Sequence, residues 1–120
     1  MDAKCQIQDL KQKIRAFCEA RDWDQYHNPK DIAIGLITES AELLEHFRFK
    51  SDKEMEEMFK NPEKKLAISE ELADAFYFIL RLAQKYNIDL SDATEKKMAK
   101  NEQKYPVEKA KGSNKKYNEL

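Results

Sequence analysis

The stretch from Pro62 to Tyr86 constrains the fold more than any other part of the chain. Between Leu72 and Ala83 its only charged residues are Asp74 and Arg81. A helix that is apolar nearly all round is a buried one. The spacing therefore predicts a long central helix, with the other segments arranged against it. Its apolar surface exceeds what one small domain covers, which points to burial against a second subunit. Only 2 glycines and 3 prolines occur in 120 residues. An all-β fold needs many turns, so this scarcity argues for long helices and an all-α chain.

The flanking segments carry their own start and stop signals. Ile7, Leu10, Ile14 and Phe17 step by three and four, which predicts an amphipathic helix over about 3–21 with Gln8, Lys11, Arg15 and Glu19 on the polar side. Asn28-Pro29 opens a second helix running to about Phe47, since Asn caps and Pro fits the first helical position. Gly35 in its interior costs helix propensity and leaves room for another helix to approach. Ser51-x-x-Glu54 reads as a capping box for a short connecting helix with Met55, Met58 and Phe59 inward. Asn61-Pro62 repeats the start signal for the central helix. Asp89 with Asp92 starts a fourth main helix, to about Lys104, with Leu90, Ala93 and Met98 as its sparse apolar contacts. Pro106 stops it. The expected architecture is a bundle of four main helices plus one short connector, completed by dimerisation. It would form one domain over 1–106, followed by a basic tail over 107–120 that is extended unless it docks on a partner.

Two acidic signatures lie inside the otherwise apolar runs: Glu39-x-x-Glu42 and Glu71-x-x-Asp74. Residues i and i+3 share a helix face, so each helix presents a carboxylate pair in one direction. With 23 acidic residues in the chain, one such pair alone reads as a solvated face. Two pairs in apolar settings read differently, because a carboxylate away from water needs compensation. A hard divalent cation such as Mg²⁺ supplies it with oxygen ligands, and bound Mg²⁺ suggests phosphate chemistry. Glu45, near the helix end, faces solvent. The loop Arg21–His27 holds the only tryptophan, Trp23, beside His27; an aromatic plane and an imidazole there serve either structure or ligand contact. Lys97, Asn101 and Tyr105 share one face of the fourth helix.

Several function classes are excluded. The net charge is −1 although 38% of residues are charged, so no field favours nucleic acid or membrane as partner. No Gly-rich phosphate loop occurs. No Ser-His or Cys-His arrangement suits covalent catalysis. Cys5 and Cys18 have neither metal-ligand nor disulfide spacing. A di-iron carboxylate bundle needs Glu-x-x-His on two helices, and the central helix has no histidine. With no signal peptide or membrane span visible, the expected location is cytoplasmic. The competing reading is a non-catalytic dimerisation or regulatory module that uses its carboxylates structurally.

The order Glu-x-x-Glu, a gap of 28 residues, then Glu-x-x-Asp resembles the MazG-like all-α nucleoside triphosphate pyrophosphohydrolases. The segments Arg21-Asp-Trp-Asp-Gln-Tyr-His-Asn-Pro29, Glu39-Ser-Ala-Glu-Leu-Leu-Glu45, Glu70-Glu-Leu-Ala-Asp74, Lys97-Met-x-x-Asn101, Lys104-Tyr-Pro-Val107 and Gly112-Ser-x-x-Lys-Tyr117 resemble its dCTP pyrophosphatase branch. The resemblance implies Mg²⁺-dependent hydrolysis of a nucleoside triphosphate, dCTP or a modified dCTP first, to the monophosphate and pyrophosphate. It implies Glu39, Glu42, Glu71 and Asp74 as catalytic metal ligands. It implies a nucleotide pocket containing Trp23, His27, Phe49, Phe78, Lys97, Asn101 and Tyr105, and assembly as a homodimer or homotetramer. Phe49 stands where close relatives often carry Trp, Phe78 where they often carry Tyr, and Ile14 where some carry a pocket His. The first change keeps an aromatic plane; the second removes a hydroxyl.

Overall fold

A computed structural model describes all 120 residues. Every regular element is helical: Ile7–Ala20 (α1), Pro29–Phe47 (α2), Asp52–Lys60 (α3), Pro62–Lys85 (α4), Leu90–Lys104 (α5) and Val107–Ala110 (α6), with single 3₁₀ turns at Asp24–Tyr26 and Tyr117–Glu119. The chain divides into two compact units, Met1–Asn87 and Ile88–Leu120.

In the first unit α4 is the hub, and α1, α2 and α3 all pack on it. Its start is set locally. The Asn61 side chain accepts from the backbone N–H groups of Glu63 (3.0 Å) and Lys64 (3.3 Å), and Pro62 occupies the first helical position. Asn28 does the same for α2, accepting from Asp31 N at 2.8 Å. Ser51 and Glu54 exchange both bonds of a capping box at the head of α3. These side chains satisfy helix-end donors that no intrahelical carbonyl can reach. The core consists of Cys18, Ile32, Met58, Ile68, Leu80 and Ala83. Each of its large aliphatic side chains contributes about 1.5–3 kcal/mol by leaving water.

Several sequence expectations need correction. α1 starts at Ile7 rather than Ala3, because Asp9 caps the Gln6 N–H and residues 1–5 close a turn instead. Lys11, assigned to the polar side, is buried. Its aliphatic stem can line an apolar surface while its ammonium finds polar partners. Phe59, expected inward, is half exposed and stacks one face on Phe47 at 6.0 Å. α4 is buried along one side only: Leu66 and Leu72 are 60% and 53% exposed. Ile37 (72%) and Leu44 (64%) on α2 are likewise open.

In the second unit Asp89 caps α5 through a bond from Asp92 N, as its sequence implies. Met98, expected as a contact, is exposed. Beyond Pro106 the tail forms α6 and the Tyr117–Glu119 turn, and the Tyr117 ring meets Tyr105 edge-on at 6.2 Å. No helix is long and apolar enough to cross a membrane.

Candidate active site

Helices α2 and α4 run in opposite directions. Gly35 faces Phe78 near one end of their contact, and Glu39, Glu42 and His46 lie toward Glu71 at the other. Gly35 makes the close approach possible. A Cβ there would fall 2.5 Å from Phe78 Cζ and 2.8 Å from Cδ1, with Cε1 nearer still. This glycine sets how deeply the Phe78 ring enters the groove, one helical turn from Glu39.

The carboxylates of Glu39, Glu42 and Glu71 converge, with one oxygen from each lying within 4.8 Å of the others. Glu39 and Glu71 are only partly buried as residues, yet Glu39 Oε2 and Glu71 Oε2 are shut off from water and have no hydrogen-bond partner. Orphaned carboxylate oxygens are costly. The Glu39 carboxyl is pushed up to about 7, chiefly by a hydrogen bond shared with Glu42, then by loss of water and by the charges of Glu42 and Asp74. Glu71 is also raised, first by desolvation and then by Glu42. Like charges held together disfavour ionisation in this way. An all-oxygen donor set with two unsatisfied buried oxygens fits a hard divalent cation.

Asp74 lies outside this trio and is exposed, although its charge still acts on Glu39 and Glu71. The sequence reading placed it in a buried setting. That setting belongs instead to the other charged residue of the stretch, Arg81, which is 1% exposed. His46 stands at the edge of the cluster, its Nε2 3.9 Å from Glu71 Oε1. Glu45 faces solvent and pairs with Arg48 at 3.2 Å.

The Trp23–His27 segment is tied to α4. Arg81 donates to Asp24 and to His27 Nδ1, and Lys85 donates to the carbonyls of Asp24 (2.8 Å) and His27. Trp23 packs edge-on against Phe17 at 5.6 Å and stands 6.1 Å from the His27 ring. The Arg81 bond holds the Asp24 carboxyl below the usual range. Desolvation first, then Arg81 and Lys85, lower His27. Arg81 and Lys85 were missed by sequence reasoning. The available signal was a lone cation in an apolar helix, which needs acceptors, and an acidic residue in the preceding loop.

Phe49 is 89% exposed and adopts φ +62°, with the Arg48 guanidinium 4.7 Å over its ring. A left-handed backbone costs a bulky residue roughly 1–2 kcal/mol. Lys97, Asn101 and Tyr105 belong to the second compact unit, where Asn101 and Tyr105 join at the end of α5 through a backbone bond of 2.8 Å.

Comparison with known proteins matches residues 34–120 to the family model of the MazG-like family. dCTP pyrophosphatase 1 of Rattus norvegicus is 36% identical over 114 residues, covering 95% of this chain and 67% of the relative. The Homo sapiens protein of the same name is 34% identical over the same share of this chain. A crystal structure of a pyrophosphatase from Archaeoglobus fulgidus matches with a TM-score of 0.78 at 37% identity, covering 83% of this chain and 92% of that one.

Proposed function

The chain belongs to the MazG-like family, and on that premise we propose a Mg²⁺-dependent pyrophosphohydrolase acting on dCTP or a modified dCTP in the cytoplasm. By its relatives it is a nucleoside triphosphate pyrophosphatase, a hydrolase. The observation that carries the finer reading is the convergence of Glu39, Glu42 and Glu71 with two buried, unpartnered oxygens.

In this reading those three residues, together with Asp74 as the resemblance implies, would hold Mg²⁺. The bound ion would neutralise charge on phosphate oxygens and lower the pKa of a water ligand. Water adds to the α-phosphorus and the bond to the bridging oxygen breaks, giving monophosphate and pyrophosphate. A carboxylate oxygen of the cluster not taken up by the metal would accept the proton of the attacking water. Trp23 offers a plane for a base, and Phe78 an apolar wall in the groove. The family resemblance assigns nucleotide contact to His27, Phe49, Lys97, Asn101 and Tyr105 as well. One catalytic domain over 1–106 with a docking tail over 107–120, assembled as a homodimer or homotetramer, belongs to the same proposal. The open apolar side chains Ile37, Leu44, Leu66 and Leu72 support it, since a small chain that leaves large apolar side chains exposed on two of its packed helices has surface for a partner to cover.

The test is pyrophosphate and monophosphate release from canonical and 5-substituted deoxynucleoside triphosphates, with Mg²⁺ and with chelator, for wild type and Glu42→Gln. Release that disappears in both controls is expected, with cytosine nucleotides leading. No release across the panel by folded protein sinks the reading. It would favour a non-catalytic module instead.

A further inference from the structure

Arg81 is buried, yet every hydrogen bond it makes through its guanidinium is accounted for by named partners. Nε donates to His27 Nδ1 at 2.9 Å, Nη1 to Gln84 Oε1 at 2.6 Å, and Nη2 to Asp24. An arginine has donors only and keeps its charge, so the direction of these bonds is fixed. A nitrogen that accepts from Arg81 cannot itself carry a proton. The His27 proton must therefore reside on Nε2. Protonating Nδ1 as well would set N–H against N–H and add a third positive charge beside Arg81 and Lys85. The charged groups facing the ring are those two cations from α4 and Asp24 from its own turn. The carboxylate of Asp24 is already engaged by Arg81. The ring is thus neutral, with a single donor pointing away from Arg81.

The position of this donor gives it a use. Glu71, Asp74, Phe78, Arg81 and Lys85 follow one another at intervals of three and four, which makes one stripe along α4. The rise from Asp74 to Arg81 is about 10 Å of helix. On the function proposed above, a nucleotide with its phosphates at the carboxylate end would have its nucleoside part toward Phe78 and the Arg81–His27 end. A cationic imidazole there would select phosphate; a neutral N–H selects an uncharged acceptor.

We propose that Arg81 is a positioning residue: it locks His27 as a neutral Nε2–H donor, beside the Trp23 plane, for a carbonyl or ring-nitrogen acceptor on the nucleoside part of the substrate. This rests on the function proposed above. Without Arg81 the imidazole interconverts between tautomers, and one of them presents a lone pair to the acceptor. A fixed donor discriminates against a nucleoside that lacks the acceptor, because the donor is then left without its partner in the complex.

The experiment combines long-range ¹H–¹⁵N spectra of ¹⁵N-histidine-labelled protein with steady-state hydrolysis of dCTP and Mg²⁺. Only 2 histidines are present, so a His27→Gln sample assigns the signals. Wild type is expected to show a single Nε2–H tautomer for His27 at neutral pH, titrating below the ordinary imidazole value. In Arg81→Met the two tautomers mix, the midpoint moves back up, and KM rises about tenfold with kcat little changed, the worth of one neutral hydrogen bond. Arg81→Lys restores charge but not the fork, so its tautomers also mix. An Nδ1–H or charged His27 in wild type overturns the proposal, and this needs no variant to fold. Released tautomers with an unchanged KM overturn it too. Absence of pyrophosphate release by wild type overturns the function proposed above and the nucleoside assignment with it, whereas the spectra alone decide the positioning role.

Discussion

Replacing Glu39 by Gln should make the metal-free protein more stable while abolishing its hydrolysis. A carboxyl moved from 4.5 to about 7 is penalised by about 3 kcal/mol when it ionises. Glu42 is exposed and Glu39 partly so, and water screening at such a site leaves about 1.5 kcal/mol. The sign follows from proton binding. The folded state holds the Glu39 proton more tightly than the unfolded chain, so wild type is at full stability below about 4.5 and loses it as pH rises through about 7. The Glu39→Gln amide carries no such proton and escapes the loss. For 120 residues the unfolding entropy is about 0.25 kcal/mol per degree, so the expected gain in Tm is about 6 °C at about pH 8. The assay is thermal melting in chelator across pH. The gap should shrink steadily below neutrality and vanish near the unfolded carboxyl value. Adding Mg²⁺ should raise wild type and not the variant, because a cation that binds only the native state stabilises it by mass action. A variant that melts below wild type in chelator at high pH, or a gap independent of pH, would refute the reasoning.

Two other substitutions probe the scaffold. Gly35→Ala should cost about 1–2 kcal/mol: overpacking against Phe78 outweighs the helix propensity gained. A urea midpoint above wild type would show that the Phe78 ring yields freely. Asn61→Ala removes the acceptor for two backbone donors at the head of α4 and should cost about 1 kcal/mol in the same measurement, with unchanged m; an unchanged midpoint would mean that water replaces the cap.

The helix starts were legible because their causes are local. Asn28, Ser51, Asn61 and Asp89 each bond a backbone N–H two or three residues on, so a short window of sequence contains both partners. The pairing of Glu39 with Glu42 and of Glu71 with Asp74 was legible for the same reason, since a helix turns residues three apart onto one face. The helix of Lys11 was readable but its burial was not. Hydrophobic periodicity assigns a face by residue type, whereas a lysine stem can be apolar surface. Asp74 and Arg81 show the limit most clearly. Both were conspicuous as charges in an apolar helix, and no local pattern distinguished the one that the fold would bury.

The sequence by itself determined an all-α chain, the order and starts of its helices, and two acidic pairs aimed from helix faces, because each of these depends on neighbours within one turn. Only the tertiary structure decided that three of the four acids converge while Asp74 stays apart, that Gly35 admits the Phe78 ring, and that Arg81 bonds the His27 ring. Those facts join residues as far as 54 positions apart, and the direction and depth at which α2 and α4 meet come from packing that short-range spacing does not encode.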